Sequence, residues 1–340
     1  VDHTKIMVFY PKDGVSDIQQ LQMATQEGAN VGVSAVVGNF DDAQTGVKTL
    51  FSDESLREEL AQRGYFLSSA NSINWGRVLP QIVYYISAYC DLLAQGAVTE
   101  GEAVNFCVPT GNFGNILSAF YAKEMGLPIG RLLCASNSNN VLTDFIATGK
   151  YDRNRPFYNT VSPSMDILIS SNLERLIYRL AGEDAEKCAE LMKSLSEGGE
   201  YTITDEMKAQ LGDFYGNFCS EDETAQAISD IYKNSNYVID THTAVAAGVY
   251  KKYVSETADH LPTVIASTAS PYKFTRSVME ALGEEHKDLD DFGLVDALSA
   301  LSGVPVPRAV EEIRTAPVLH DRVVDAVDMP AAVKDILKIK

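Results

Sequence analysis

The alternation of short apolar runs with amphipathic stretches constrains this chain more than any other feature. Residues 5–10 (KIMVFY) form an apolar run closed by Pro11 and Gly14. Residues 17–25 set Ile18, Leu21 and Met23 among glutamines, with Ser16 placed to cap a helix. Residues 31–37 (VGVSAVV) are apolar again. Strand, helix and strand in so short a span make a βαβ unit, whose parallel strands need helices on both faces of the sheet. The pattern returns with a strand at 103–108, a helix at 116–125 and a strand at 131–135, which predicts a second parallel sheet and the α/β class. Further helices are expected at 82–93, 243–253 and 273–282, and a strand at 264–267. The charged stretch 181–233 reads as an exposed helical insertion. At roughly 150 residues per domain, 340 residues make about two domains. The expected division is 1–78 for the smaller and 79–340 for the larger, at the point where a polar loop hands over to a long apolar helix.

Charge narrows the function. Lysine and arginine number 28 against 47 aspartates and glutamates, a formal charge of −19. Nucleic acid and anionic membranes both require a basic footprint, so neither is an expected partner. The five cysteines, Cys90, Cys107, Cys134, Cys188 and Cys219, contain no CxxC pair and no zinc spacing, and their scatter fits a reducing compartment. No metal site is expected from them or from the five separated histidines. No apolar run reaches the ~18 residues of a membrane span, and no signal peptide is recognised, so a cytoplasmic location is expected.

Three polar segments can carry chemistry. In 108–115 (VPTGNFGN) a strand runs into Gly111 and Gly114, and an amphipathic helix follows at once. Glycines admit φ > 0 and close approach of a ligand to the backbone. A helix start offers unpaired N–H groups and the positive end of the dipole to an anion. A plain strand-to-helix turn remains open as the alternative. In 68–77 (SSANSINWGR), Ser72, Asn74 and Arg77 can converge on an oxyanion, Arg77 through two N–H groups; a capped loop with a surface arginine is the other reading. In 267–274 (STASPYKF), Thr268 follows a strand end, where ligands of parallel sheets bind, and Ser270 can equally be a helix cap. His242, in 240–244 (DTHTA), reads as a structural residue at a helix start, and 38–44 (GNFDDAQ) as a helix cap. No GxSxG elbow, GxxxxGK[ST] loop or HExxH helix occurs.

Taken in order, 9–16 with 19–23, 38–42, NSINW at 71–75 with Arg77, PTGNFGN at 109–115, 240–244 and 267–274 resemble threonine synthase. The resemblance covers essentially the whole chain, and NSINW followed by GNFGN is far more specific than either alone. It implies the tryptophan-synthase-β-like fold, pyridoxal-phosphate fold type II, with two α/β domains that each hold a parallel sheet, the smaller one incomplete. It implies pyridoxal 5'-phosphate as cofactor, with Gly111, Asn112, Phe113, Gly114 and Asn115 cradling its phosphate and the Thr268 hydroxyl facing the pyridine nitrogen. It implies Ser72, Asn74 and Arg77 as part of the pocket for the phosphate of O-phospho-L-homoserine, converted with water to L-threonine and phosphate. A neutral hydroxyl at the ring nitrogen, in place of a carboxylate, tunes the ring's electron-sink strength.

The sequence also departs from the family. The Schiff-base lysine of the family lies upstream of the strand at 5–10, as does a glycine-rich loop, and neither occurs in residues 1–340. No catalytic residue of that kind is therefore expected in this chain. Lys287, in a charge run at 283–291, and Lys273 do not match its position, and Ser270 stands where many members have histidine. With the start at Val1, this reads as a C-terminal portion that binds the cofactor weakly by itself, with an open sheet edge at 5–10. Two alternatives remain. One is a β-replacement relative related to cysteine or tryptophan synthases. The other is a non-catalytic paralogue or truncated product acting as a binding or assembly partner.

Overall fold

The computed structural model describes residues 3–339 apart from 13, 14, 39, 73, 284, 285 and 287, and the side chains of 40, 41 and 44 also lie outside the description. The expected cap at 38–44 and the lysine at 287 fall on these positions. Two compact units are present, one of Val1–Ser68 with His286–Lys340 and one of Ser69–Glu285.

The first unit begins with β1 (Ile6–Pro11), α1 (Asp17–Ala24), β2 (Val31–Val36), α2 (Phe40–Ser52) and α3 (Glu54–Gln62). Ser16 caps α1 in a reciprocal box with Gln19. β1 and β2 pair in parallel from Ile6 opposite Val31 to Pro11 opposite Val36. β1 lies at the edge of its sheet, where the sequence placed it.

The second unit starts with α4 (Trp75–Ala94), β3 (Val104–Pro109), α5 (Gly114–Glu124), β4 (Ile129–Ser136), α6 (Val141–Thr148) and β5 (Lys150–Asp152). It continues with α7 (Leu173–Leu180), α8 (Ala185–Gly198), β6 (Glu200–Thr202), α9 (Asp205–Ala209), β7 (Phe214–Phe218), α10 (Glu221–Ser235), α11 (Thr241–Thr257), β8 (Thr263–Ile265) and α12 (Thr275–Ala281). Its sheet runs β7-β4-β3-β8, all parallel. α5 covers one face with Ile116, Leu117 and Phe120, while α11 packs Val245, Ala246 and Val249 on the other beside Cys107 and Leu133. The stretch 181–233 is not an exposed insertion. It supplies β7, whose register puts Leu132 opposite Phe214, and it buries Leu191, Met207 and Leu211 in the core. α4 begins at Trp75, not near residue 82, and Pro80 sits in its second turn.

The chain then returns to the first unit as α13 (Asp291–Ser302), α14 (Arg308–Ile313), β9 (Val323–Val324) and α15 (Met329–Leu337). β9 pairs with β2, and Met329, Ala332 and Val333 share a buried cluster with Val36, Leu56 and Leu60. The last 55 residues thus leave the larger expected domain and complete the smaller one. Residue 78 is not a boundary either. Val78 is fully buried in α4 and its carbonyl accepts the Ser118 hydroxyl of α5.

Candidate active site

All four parallel strands of the second unit end at one edge, and the glycine bend leaves from the end of β3. There Thr110 continues the pairing by donating its N–H to the Ala135 carbonyl at 2.8 Å. The bend turns at Phe113, which has φ 64 and ψ −4, and not at either glycine. A bulky residue in the left-handed region costs about 1–3 kcal/mol and persists only where packing over-determines it. The Phe113 ring is 1% exposed and lies 5.9 Å from the ring of Phe214. Gly111 and Gly114 serve close approach instead. A Cβ on Gly111 would stand 2.7 Å from the Ser164 carbonyl oxygen, and one on Gly114 would stand 2.8 Å from the Ser72 Cβ.

This turn leaves the helix start open. Leu117 is the first residue to donate into α5, to the Phe113 carbonyl at 3.0 Å, and no side chain caps the N-terminus. The N–H groups of Gly114, Asn115 and Ile116 therefore have no acceptor within the helix. Asn115 is fixed by Tyr85 of α4, whose hydroxyl bonds its side-chain oxygen at 2.7 Å and its carbonyl at 3.0 Å. Burial pushes the Tyr85 phenol far above its ordinary range, so it remains a protonated donor.

The polar loop adjoins the bend. Ser72 lies against Gly114, with its hydroxyl oxygen 2.9 Å from where a Cβ would stand. Asn74 caps α4, accepting the Gly76 N–H at 2.9 Å and donating to the Ser69 carbonyl at 3.0 Å, so its amide has a structural task. Trp75 packs edge-on against Tyr121 of α5, ring centres 5.4 Å apart, which pins the loop to the helix behind the bend. Arg77, in the first turn of α4, is exposed, and among the described residues its guanidinium has no hydrogen bond or ion pair.

Thr268 lies beyond the carboxyl end of β8, the strand next to β3, and is exposed. The Ala266 N–H still bonds the Cys107 carbonyl at 2.9 Å, so the two strand ends leave the sheet side by side. Ser267 holds Thr243 at 3.2 Å, which ties this loop to the start of α11. Asp240 caps α11 through the N–H groups of His242, at 2.8 Å, and Thr243, at 3.3 Å, and takes the Thr243 hydroxyl as well. Burial alone would raise the Asp240 carboxyl, but the donors on His242 and Thr243 outweigh it and hold the group below the usual carboxylate range. His242 is buried against Phe274, ring centres 4.9 Å apart. Ser270 does act as a cap, its hydroxyl accepting the Tyr272 N–H at 3.3 Å.

The sequence reading missed the segment that faces the bend from the other side. Ser170 donates its hydroxyl to the Gly111 carbonyl at 2.7 Å, and Asn172 donates its amide to the Asn112 carbonyl at 2.8 Å and to Ser72 at 2.8 Å. The only signal was a polar SSN before an amphipathic helix, which is indistinguishable from a cap. Four cysteines are buried and Cys90 is exposed; burial pushes the Cys134 thiol up to about 12, so it stays protonated. Among the described residues no group of three His, Cys, Asp or Glu is placed to hold a metal, and no helix is long and apolar enough to cross a membrane. A cavity of about 820 Å3 between α10 and α11 contains none of the candidate residues.

This architecture is that of the fold type II pyridoxal-phosphate-dependent enzymes. A pyridoxal-phosphate-bound threonine synthase from Brucella melitensis superposes with a TM-score of 0.82 at 34% identity, over 98% of this chain and 66% of that one. Yeast threonine synthase superposes with 0.82 at 30% identity, over 98% and 65%. A family model described as threonine synthase, C-terminal, matches residues 243–324. Human threonine synthase-like 1 is 46% identical over 280 residues, 82% of this chain and 37% of that protein. Threonine synthase of Pseudomonas aeruginosa is 36% identical over 281 residues, 82% of this chain and 57% of that protein. The chain belongs to the threonine synthase family, and it spans between about a third and somewhat over half of these curated relatives' length.

Proposed function

We propose that this chain is the cofactor- and substrate-holding part of a threonine synthase, acting on O-phospho-L-homoserine and water to give L-threonine and phosphate. The observation that carries the reading is the open start of α5 with Ser72 against it, in a chain 34% identical to a pyridoxal-phosphate-bound threonine synthase. The donor set fits a phosphate. It consists of unpaired N–H groups at a helix start, a neighbouring hydroxyl, and a glycine where a Cβ would obstruct the approach. Gly111, Asn112, Phe113, Gly114 and Asn115 hold the phosphate of pyridoxal 5'-phosphate in this reading, and the Thr268 hydroxyl faces its ring nitrogen.

When bound, the cofactor supplies an electron sink for carbanions next to its ring. The chain's own groups bind and orient. The dipole at the start of α5 contributes ~0.3–1 kcal/mol to a bound anion, and up to ~2 where it is partly buried. Arg77, unpaired among the described residues, binds the substrate phosphate through two N–H groups and favours the leaving dianion as it forms. Thr268, neutral and a donor or acceptor, keeps full charge off the ring nitrogen. No lysine of residues 1–340 is assigned the proton-shuttling role in this proposal.

The 46% identity to a human protein named threonine synthase-like 1 favours a second reading, a threonine-synthase-like paralogue, which we take as non-catalytic and acting as a binding or assembly partner. Release of inorganic phosphate from O-phospho-L-homoserine, assayed on the natural reading frame that contains this chain, separates the two. We expect saturable release there, and none from residues 1–340 alone. Ligand binding without release from the natural protein would favour the second reading. A lysine-linked visible absorption band on mixing residues 1–340 with pyridoxal 5'-phosphate would give that role to a lysine of this chain and overturn this part of the proposal.

A further inference from the structure

We propose that Ser170 and Asn172 are positioning residues of the glycine bend, and that Ser72, held by Asn172, serves the anion at the start of α5 and not a separate substrate pocket. This rests on the cofactor reading above and deepens it.

The argument begins with the peptide plane. In a trans peptide the carbonyl and the following N–H point in opposite directions. The Gly111 carbonyl is tied to the Ser170 hydroxyl at 2.7 Å, which sends the Asn112 N–H the other way. The Asn112 carbonyl takes two bonds, from the Asn172 side chain at 2.8 Å and from the Asn172 N–H at 3.1 Å, which does the same for the Phe113 N–H. Two carbonyl dipoles that would repel an anion are thereby turned toward residues 170–172. Two N–H groups are turned away from that segment.

The orientation of Asn172 itself is fixed. Its side chain is fully buried. Its oxygen takes the guanidinium of Arg175, which also bonds the Ser72 carbonyl at 2.9 Å. Its nitrogen must then donate, one proton to Asn112 and the other to the Ser72 hydroxyl at 2.8 Å. A hydroxyl that accepts from an amide keeps its own proton to give. Ser72 holds that proton beside Gly114, the first residue of the open helix start. One buried amide, anchored by the Arg175 guanidinium, thus aims both a backbone donor and a side-chain donor, and the donors offered to the anion are themselves neutral in a chain carrying −19.

The test is a set of binding titrations on residues 1–340 with pyridoxal 5'-phosphate, pyridoxal and O-phospho-L-homoserine. Ser72→Ala and Asn172→Ala should each raise the dissociation constant for pyridoxal 5'-phosphate tenfold or more. Phosphate-free pyridoxal should be unaffected, and phosphohomoserine should move less than threefold. The double variant should bind no more weakly than Asn172→Ala alone, because the amide acts through the hydroxyl. Should Asn172→Ala not fold, Ser72→Ala with Ser170→Ala decides. Loss confined to phosphohomoserine in Ser72→Ala, or fully additive losses, would overturn the proposal. Wild-type binding unchanged in every variant overturns this inference alone, whereas a wild-type chain that takes neither phosphorylated ligand overturns the cofactor reading and this one with it.

Discussion

At the scale of single residues, the two glycines of the bend do unlike jobs. Gly111 faces backbone that cannot yield, with the Ser164 carbonyl 2.7 Å and the Met165 Cα 3.1 Å from where a Cβ would stand. Gly114 faces side chains, with the Ser72 Cβ 2.8 Å, its Oγ 2.9 Å and the Asn172 Nδ2 3.3 Å from where a Cβ would stand, and rotating Ser72 moves only its hydroxyl. Gly111→Ala should therefore cost stability, about 1–3 kcal/mol by the usual scale of overpacking, read as a lower denaturation midpoint. Gly114→Val should lower the midpoint as well, and should in addition weaken pyridoxal 5'-phosphate much more than phosphohomoserine. Arg77→Ala should show the reverse preference, because removing a charge-assisted hydrogen bond typically costs about 1.5–3 kcal/mol. Equal losses for both ligands in titration would show that Arg77 does not distinguish them. Position 113 is where residue-level reading failed in an instructive way. Two glycines in GNFG point to a positive φ on glycine, yet the strained residue is Phe113, because burying its ring beside Phe214 compensates the backbone cost. Nothing local to the sequence reports that compensation.

Elements that carry their own start and stop chemistry were legible, and those defined by distant partners were not. The Ser16 box of α1, the bend before α5 and the helix after 240–244 each stand where their residues place them. β7 was hidden, since FYGNF lies in a charged stretch and becomes a strand only by pairing with β4. β9 is two residues long and exists only beside β2. Asn172 was invisible for the same reason, as its partners lie 60 and 100 positions away in sequence. The start of α11 gives an element-scale prediction about pH. The Asp240 carboxyl is held low in the folded chain by His242 and Thr243, so its contribution is complete above the unfolded aspartate value of about 3.9 and is lost as pH falls through the lower folded value. Asp240→Asn should melt below wild type at pH 6, and the gap should close on acidification toward pH 3. A gap that holds constant over that range would mean the aspartate acts only as a neutral cap.

Over the whole molecule the excess of 47 acidic over 28 basic side chains sets a repulsive field. Two salt effects oppose each other. Added salt weakens exposed ion pairs such as Lys150–Glu200 at 2.7 Å and Arg308–Glu312 at 2.6 Å, which contribute little where solvent already screens them. It also screens the repulsion among acidic groups left without a cation, over a Debye length of ~10 Å at 0.1 M. Even with every one of the 28 cations paired to its own acid, 19 acids are left without one, and their mutual repulsion is long-range, so screening should win. The melting temperature should rise by a few degrees between roughly 0.01 M and 0.3 M sodium chloride, measured at pH 7 without phosphate or other binding anions. The same balance governs an anion arriving at the start of α5. Its local donors are neutral, so salt has little attraction there to screen and much long-range repulsion to relieve. Affinity for pyridoxal 5'-phosphate should hold or increase over that range, opposite in sign to a site built on lysines. A steep fall with salt would mean that a cationic side chain, and not the helix start, holds the phosphate.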